Sequence, residues 1–293
     1  MNILLIDIDS KIPNIALHKI KIFYQNQGDE VIWNMPILAD TVDKIYISCI
    51  FEKNRWKARE WEGRAEIGGS GYDVKVKLPK EIDEMRPKIN IGFTSRGCNR
   101  GCKFCIVPQK EGGFKAVGDI YDFWDGKSKK ILLFDNNILL DKKHFKMICS
   151  QIRKENLKVD INQGLDIRLL DKEICQELQT IRIDPIRFSF DDIKLENIFV
   201  AKMKLLSQYV NMSKVMIYVL VGYDTTIEQD LYRKKIVNDL GADVFFQNYN
   251  DKKDKLLREM CRWNNRFYFR NLTFEDYLKK RERYYLWKAL KNN

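Results

Sequence analysis

The chain has 293 residues, of which 45% are hydrophobic and 32% are charged. This is enough apolar material for one large domain, or for a large domain joined to a smaller one. No apolar run approaches the roughly 20 residues that span a bilayer. The first residues also lack the basic region that begins a signal peptide. We therefore expect a cytoplasmic protein with no membrane partner.

Residues 1–86 are predicted to form a small Rossmann-like α/β domain. Pro13 begins a helix that Gly28 ends, because proline suits the first turn and glycine the position after the last. Residues 75–86 join this domain to the next. Strands are expected at residues 3–8, 30–33 and 44–51.

Residues 87–252 alternate between apolar, β-rich runs and amphipathic helical patterns. The runs begin at intervals of 27 to 42 residues, near Ile89, Ile131, Val159, Ile186, Val215 and Ala242. Each interval accommodates a strand, a helix and two short loops, so we infer six consecutive β/α units. We predict a partial (β/α)6 TIM-like barrel. An open doubly wound sheet is the alternative, because it would show the same periodicity.

Capping residues mark the ends of several predicted helices. Asp171 precedes the helical pattern KEICQELQT, and Thr225 or Thr226 precedes a pattern that ends before Gly241. Short polar side chains cap the first turn of a helix, and glycine adopts the left-handed conformation after the last. These residues therefore predict helix boundaries within the series of β/α units.

The strands of this region end in acids and amides. In parallel α/β folds the carboxyl ends of the strands form the functional edge. We therefore expect binding residues there. The polar ends are residues 135–137, 162–164, 189–192, 222–224 and 247–248.

Three of the seven cysteines lie close together, directly after the first strand of the repeat. Cys98, Cys102 and Cys105 follow Gly97 in a polar loop. Thiolates are the usual ligands of iron–sulfur clusters, and three of them leave one iron of a cubane open. Zinc is the alternative, but a structural zinc site needs four ligands, and neither a second cysteine pair nor suitably placed histidines are available. The other four cysteines are isolated, as is typical of small buried hydrophobes.

The spacing Cys-x3-Cys-x2-Cys, with Phe104 before the last cysteine, resembles the signature of the radical S-adenosylmethionine (radical SAM) superfamily. The resemblance covers residues 89–250. It implies that Cys98, Cys102 and Cys105 hold three irons of a 4Fe–4S cluster. It also implies that the fourth iron binds the amino and carboxylate groups of S-adenosylmethionine. A flavodoxin- or ferredoxin-like protein would supply the single electron that cleaves the cofactor to a 5′-deoxyadenosyl radical.

The resemblance also implies which strand ends contact S-adenosylmethionine. These positions, together with Phe104 of the signature, form the expected cofactor site, and no catalytic residue is assigned. Family members place the amino-group contact after the second strand, frequently as a Gly-Gly-Glu run, which this chain lacks. The corresponding residues here are Asp135, Asn136 and Asn137 for the amino group, Ser189 and Asp191 for the ribose or carboxylate, and Gly222 and Tyr223 for the adenine.

Residues 1–86 resemble a shortened cobalamin-binding domain of the kind fused to many such barrels. The pattern Asp-x-His-x-x-Gly is missing around His18, so no cobalamin is expected. The cysteine loop is similar to that of methylthiotransferases, which carry a second cluster on N-terminal cysteines. Only Cys49 precedes the repeat here, which favours an enzyme with a single cluster.

Residues 253–293 are predicted to form a basic, aromatic, helical extension. Residues 261–293 contain nine Lys or Arg, three acids and nine aromatics, and they contribute about half of the net charge of +11. Interleaved cations and aromatics suit a nucleic acid, so we expect RNA, tRNA or a nucleotide as substrate. The alternative for this segment is a helix that caps the barrel and packs its aromatics on it. The alternatives for the function are radical modification of a small molecule or peptide, and a non-catalytic iron–sulfur protein. Thr273 caps a predicted helix whose apolar face includes Tyr277, Leu278, Tyr284, Tyr285 and Trp287.

Overall fold

The computed structural model describes residues 1–249 and 254–291, with side chains as far as Lys288. The protein is a mixed α/β protein with parallel sheets. The chain divides into two compact units, Met1–Asn136 and Asn137–Asn293. Within the described ranges, no helix is long and apolar enough to cross a membrane.

The first elements of the first unit alternate between strand and helix, as expected for a Rossmann-like domain. Its helices are α1 (Ile15–Asn26), α2 (Arg55–Arg59), α3 (Lys80–Asp83) and α4 (Val107–Glu111). Its strands are β1 (Asn2–Asp7), β2 (Glu30–Trp33), β3 (Lys44–Ser48), β4 (Glu66–Gly68), β5 (Ile91–Gly92), β6 (Ser95–Arg96), β7 (Lys115–Ala116) and β8 (Lys130–Leu133). The later strands, β5 to β7, are only two residues long.

The strands β1 to β4 form one parallel sheet in the order β2-β1-β3-β4. Alternate side chains of β1 face opposite sides: Ile3 and Leu5 join a core with α1, whereas Leu4 and Ile6 join a second core with Ile47. Both faces of the sheet are therefore buried, as is typical of parallel sheets. Outside this sheet, β5 pairs with β8 in parallel and β6 pairs with β7 in an antiparallel hairpin.

The second unit continues the alternation of strands and helices. Its strands are β9 (Lys158–Ile161), β10 (Arg182–Ile183), β11 (Ile186–Ser189), β12 (Val215–Val221) and β13 (Asp243–Asn248). Its helices are α5 (Lys142–Lys154), α6 (Lys172–Thr180), α7 (Glu196–Leu206), α8 (Ile227–Asp239), α9 (Lys255–Asn265), α10 (Phe274–Lys280) and α11 (Tyr284–Lys291).

The strands of the second unit are all paired in parallel. The order β11-β12-β13 forms one sheet, and β9 pairs with β10. A single parallel bridge between Leu165 and Phe188 lies beyond the end of β9 and connects its chain to β11. Because parallel pairing directs all carboxyl ends the same way, the ends of β11, β12 and β13 share one edge of their sheet.

A strand lies at each of the six places where the repeat predicted one. The caps are also confirmed: Asp171 accepts a hydrogen bond from Ile174 N, and Thr226 caps α8 together with Gln229. Gly241 follows the end of α8 with a φ of +81°. These predictions were accurate because each depends on local sequence alone.

Two predictions about the elements were wrong. The strand predicted at residues 44–51 ends at Ser48. The predicted C-terminal helix is two helices, because Glu282 takes a left-handed φ of +56° between α10 and α11. Tyr285, expected on the apolar face, is therefore 57% exposed, whereas Tyr277, Leu278 and Trp287 are buried.

Candidate metal centre

The cysteine loop is closed at its base by the hairpin of β6 and β7. Ser95 lies opposite Ala116 in this hairpin, and the Cys98 N–H donates to the Gly112 carbonyl at 3.1 Å. The Asn99 Oδ1 accepts a hydrogen bond from the Phe114 N–H at 2.9 Å. The two ends of the loop are therefore held together mainly by main-chain groups. These contacts fix the ends of the segment that carries the three cysteines.

Gly97 enters the loop at a position where only glycine fits. Its φ is +80°, and a Cβ atom there would lie 2.1 Å from the Gly113 carbonyl oxygen. A left-handed conformation and a close main-chain approach both favour glycine over other residues. The glycine thus allows the two sides of the loop to meet directly before Cys98.

Backbone N–H groups point at two of the three sulfur atoms. The Arg100 N–H donates to the Cys98 Sγ and the Val107 N–H to the Cys105 Sγ, both at 3.4 Å. A turn brings Cys102 near Cys105, with the Cys105 N–H donating to the Cys102 carbonyl at 3.0 Å. Hydrogen bonds to sulfur stabilise thiolate ligands and tune cluster potentials.

The remaining cysteines have the environment of buried hydrophobes, as predicted for isolated cysteines. Cys49, Cys149 and Cys175 are fully buried, whereas the three loop cysteines are partly exposed. Burial raises the pKa of the Cys49 and Cys175 thiols to about 11, and it raises the pKa of Cys149 further. Cys261 is half-buried, and burial raises its pKa to about 12. The raised pKa values of these four thiols disfavour the thiolate form that binds metals.

The loop offers thiol donors and backbone hydrogen bonds of the kind that iron–sulfur clusters use. Three partly exposed cysteines lie within one closed loop, and two of them receive N–H hydrogen bonds. Within the residues that the structure describes, no three His, Cys, Asp or Glu side chains are grouped so that they could hold a metal ion. The loop therefore matches a cluster in its donor atoms and in its backbone hydrogen bonds, but its three cysteines are not grouped around one point.

Two basic residues near the cysteine loop, Arg96 and Lys110, have hydrogen-bond partners. Arg96 forms a bidentate pair with Glu111, at 2.8 and 3.0 Å, and its guanidinium lies 4.6 Å from the centre of the Phe93 ring. Lys110 donates to Ser70 Oγ at 2.6 Å, and burial lowers the pKa of its amine. The hydrogen bond between Lys110 and Ser70 attaches α4, at the end of the cysteine loop, to the glycine turn after β4.

Asp135 anchors the start of the cysteine loop. Its carboxylate is fully buried and accepts hydrogen bonds from the Thr94 and Ser95 hydroxyls at 2.7 and 2.6 Å. It also accepts from both of their backbone N–H groups. Burial raises the pKa of this carboxyl, and the four donors act against that shift. A side chain predicted as a cofactor contact thus holds β6 in place, and neither Thr94 nor Ser95 was recognised from sequence.

Replacing Asp135 by Asn is expected to destabilise the protein by about 1–3 kcal/mol. The amide NH2 would face the Thr94 N–H and leave a buried donor unpaired. Urea unfolding of the two proteins measures this difference. Asp40→Asn is the matched control, because the Asp40 side chain is 87% exposed and its replacement should change stability by no more than about 0.5 kcal/mol. Equal stabilities of Asp135→Asn and the unmodified protein would contradict the anchoring role.

The two asparagines that follow Asp135 have different partners. The Asn136 Oδ1 accepts a hydrogen bond from the Gly97 N–H at 2.8 Å, so Asn136 also supports the cysteine loop. Asn137 is buried, and its amide donates to Asp166 at 3.2 Å. Asp166 in turn forms a salt bridge with Arg168 at 2.7 Å. Of this predicted trio, Asp135 and Asn136 therefore bind the start of the cysteine loop.

The predicted cofactor residues of the second unit lie at the ends of β11 and β12. Ser189 is exposed, and the Asp191 Oδ1 accepts a hydrogen bond from the Leu220 N–H at 2.8 Å. Burial raises the pKa of Asp191. Gly222 has a φ of +76°, and a Cβ there would lie 2.6 Å from the Leu257 side chain. The Tyr223 ring is half-buried and meets Tyr249 edge-on.

A buried ion pair that sequence analysis missed joins these strand ends. Arg233 of α8 has no exposed surface and donates to the carbonyls of Phe190 and Leu220, both at 2.7 Å. It also donates to Asp230 at 2.6 Å, and Asp230 accepts a hydrogen bond from the backbone of Gly222. No sequence pattern distinguishes this arginine from Lys235, the exposed cation of the same helix.

The C-terminal segment packs on β13 through its aromatic and amide side chains. The Asn264 amide donates to the Val244 carbonyl at 2.7 Å. Lys234 lies 3.7 Å from the centre of the Phe269 ring, and burial lowers its pKa to about 8. The buried aromatics are Trp263, Phe274, Tyr277 and Trp287. This packing agrees with the capping alternative for these four rings, whereas Phe267, Tyr268 and Tyr285 are exposed.

Comparison with known proteins adds no family to this description. No protein-family model matches the chain, and no curated protein matches it. The functional assignment therefore depends on the residues and their geometry.

Proposed function

We propose that this chain is a radical SAM enzyme that binds one 4Fe–4S cluster through Cys98, Cys102 and Cys105. The observation that carries the proposal is the closed loop in which partly exposed cysteines receive backbone N–H hydrogen bonds. Burial raises the pKa of the other four thiols, so the loop provides the more suitable thiolate donors.

The residues around the loop would keep the ligands in place. Asp135 and Asn136 hold its first residues, and the hydrogen bond between Cys98 and Gly112 closes its base. When bound, the cluster supplies the electron that cleaves S-adenosylmethionine to methionine and a 5′-deoxyadenosyl radical. A flavodoxin- or ferredoxin-like partner is the proposed source of that electron.

The parallel strands are proposed to form the partial (β/α)6 barrel of this superfamily. Ser189, Asp191, Gly222 and Tyr223 would then bind the ribose, carboxylate and adenine of S-adenosylmethionine. Support for this assignment comes from Asp191, which lies at the carboxyl end of β11 and is joined to β12. Phe104 and Asn137 are proposed to complete the site, and no cobalamin is expected in the N-terminal domain.

The proposed substrate is RNA, tRNA or a nucleotide. The basic C-terminal extension supports an anionic substrate, because phosphates attract clustered Lys and Arg. Modification of a small molecule or peptide is the alternative within the same chemistry.

Incubation of anaerobically prepared protein with dithionite and S-adenosylmethionine tests the proposal. We expect 5′-deoxyadenosine and methionine to accumulate, as measured by chromatography. The same mixture without dithionite is the control and should give neither product. A protein that binds iron but forms no 5′-deoxyadenosine would be a non-catalytic iron–sulfur protein.

A further inference from the structure

A cavity of about 300 Å³ lies between α9 and the turn that joins α10 to α11. Within the described residues, its lining consists almost wholly of cations. Five of them surround one carboxylate, which gives the lining a net charge of +4. The lining residues are Lys255, Arg258, Glu259, Arg262, Arg281 and Arg283.

The one acid of the cavity is buried and fully engaged. Glu259 is 8% exposed and accepts hydrogen bonds from the Tyr277 hydroxyl at 3.0 Å and from Arg281 Nε at 2.9 Å. Its other oxygen lies 3.1 Å from Arg283 Nε. The shortest of these bonds use the inner nitrogen of each arginine. Glu259 therefore orients both guanidinium groups along the cavity wall and repels an anion less than a free carboxylate would.

The cations of α9 are available to a ligand. Lys255, Arg258 and Arg262 follow a spacing of three and four residues, which places them on one face of the helix. All three are exposed, and in the described part of the chain no carboxylate lies within ion-pair distance of them. Three uncompensated positive charges thus face the two arginines that Glu259 holds.

We propose that this cavity binds a phosphate group, carried by an RNA chain or by a free nucleotide. Phosphate presents several strong acceptor oxygens to several donors, and the fork of arginine matches it better than a single carboxylate would. Four rings of the same segment, Trp263, Phe274, Tyr277 and Trp287, are buried and cannot stack on bases. None of the described lining residues of the cavity is aromatic. Recognition here therefore acts on charge and not on base identity.

The cavity deepens the nucleic-acid part of the proposed function and does not depend on the iron–sulfur cluster. The cations of the cavity all lie within the basic extension predicted at residues 253–293: three come from α9, and Arg281 follows α10. Arg283 completes it from the bend that breaks the predicted C-terminal helix.

The double variant Arg258→Gln/Arg262→Gln tests the cavity in the full-length protein. Both residues are exposed, so the variant is expected to fold normally. Fluorescence anisotropy with a labelled single-stranded RNA of about 12 nucleotides, close to the site sizes of single-strand binding proteins, measures binding. Inorganic phosphate and AMP serve as competitors.

We expect the affinity for RNA to fall about tenfold or more, because each replaced arginine removes a charge-assisted hydrogen bond. The slope of log affinity against log salt should become shallower by about 0.7 for each phosphate that the variant no longer binds.

Lys143→Gln/Lys172→Gln is the matched control, because it removes two exposed charges from the same unit outside the cavity. It should change RNA affinity less than twofold. If AMP competes with RNA in the unmodified protein and loses this ability in the arginine variant, the bound phosphate belongs to a free nucleotide. If the variant weakens only the affinity for RNA, the bound phosphate belongs to the RNA backbone. Equal RNA and phosphate affinities in the arginine variant and the unmodified protein would overturn the proposal. Cys102→Ala should retain RNA binding, which separates failure of this site from failure of the cluster.

Discussion

Replacing Cys102 by Ala is expected to abolish both iron binding and 5′-deoxyadenosine formation. Three thiolates are the minimum that holds a cubane cluster with one open iron, so the two that remain should not retain it. The other cysteines are buried or half-buried thiols of raised pKa, and the described residues contain no alternative group of metal-binding side chains. Iron content and product chromatography measure the two effects on the same sample.

Cys149→Ala is the control for this experiment. Cys149 is fully buried on α5 and far in sequence from the loop, so its replacement should leave iron content unchanged. We expect it to reduce stability modestly, by about 1 kcal/mol, because a small buried side chain is shortened. An iron content in Cys102→Ala equal to that of the unmodified protein would refute the assignment of the loop, as would zinc in the unmodified protein.

The sequence predicted the elements whose signals are local. The six strands of the repeat were recognised because apolar runs recur at the spacing that one β/α unit requires. Asp171, Thr226 and Gly241 were placed correctly because a cap acts within a single turn of helix. Closure of the strands into a barrel depends on pairings distant in sequence and stays a prediction.

The site was predicted only in part, because the sequence does not show which polar side chains are buried and bind the backbone. Asp135 was predicted as a cofactor contact, which stays a prediction; that its carboxylate accepts four hydrogen bonds from Thr94 and Ser95 was not predicted. The hairpin of β6 and β7 was missed because two-residue strands carry no periodicity. The cavity around Glu259 was missed because it needs the bend at Glu282, a local left-handed conformation without a sequence signal.

Arg233→Met is expected to destabilise the protein by about 3–5 kcal/mol. The Arg233 and Asp230 side chains are both completely buried, and the arginine also binds two carbonyls at the ends of β11 and β12. Removing the cation leaves Asp230 as a buried, uncompensated charge, which is far more destabilising than the removal of a surface pair. Urea unfolding of the second-unit transition, followed by circular dichroism, measures the change in the free energy of unfolding.

Lys235→Met provides a control within the same helix. Lys235 pairs with Asp239, but both side chains are well exposed, at 71% and 61%. Exposed pairs contribute about 0–1 kcal/mol, so this variant should unfold close to the unmodified protein. The double variant Asp230→Leu/Arg233→Met should recover much of the stability, since it removes the uncompensated carboxylate together with the cation. A small effect of Arg233→Met, or no recovery in the double variant, would show that the buried pair does not hold the ends of β11 and β12 together.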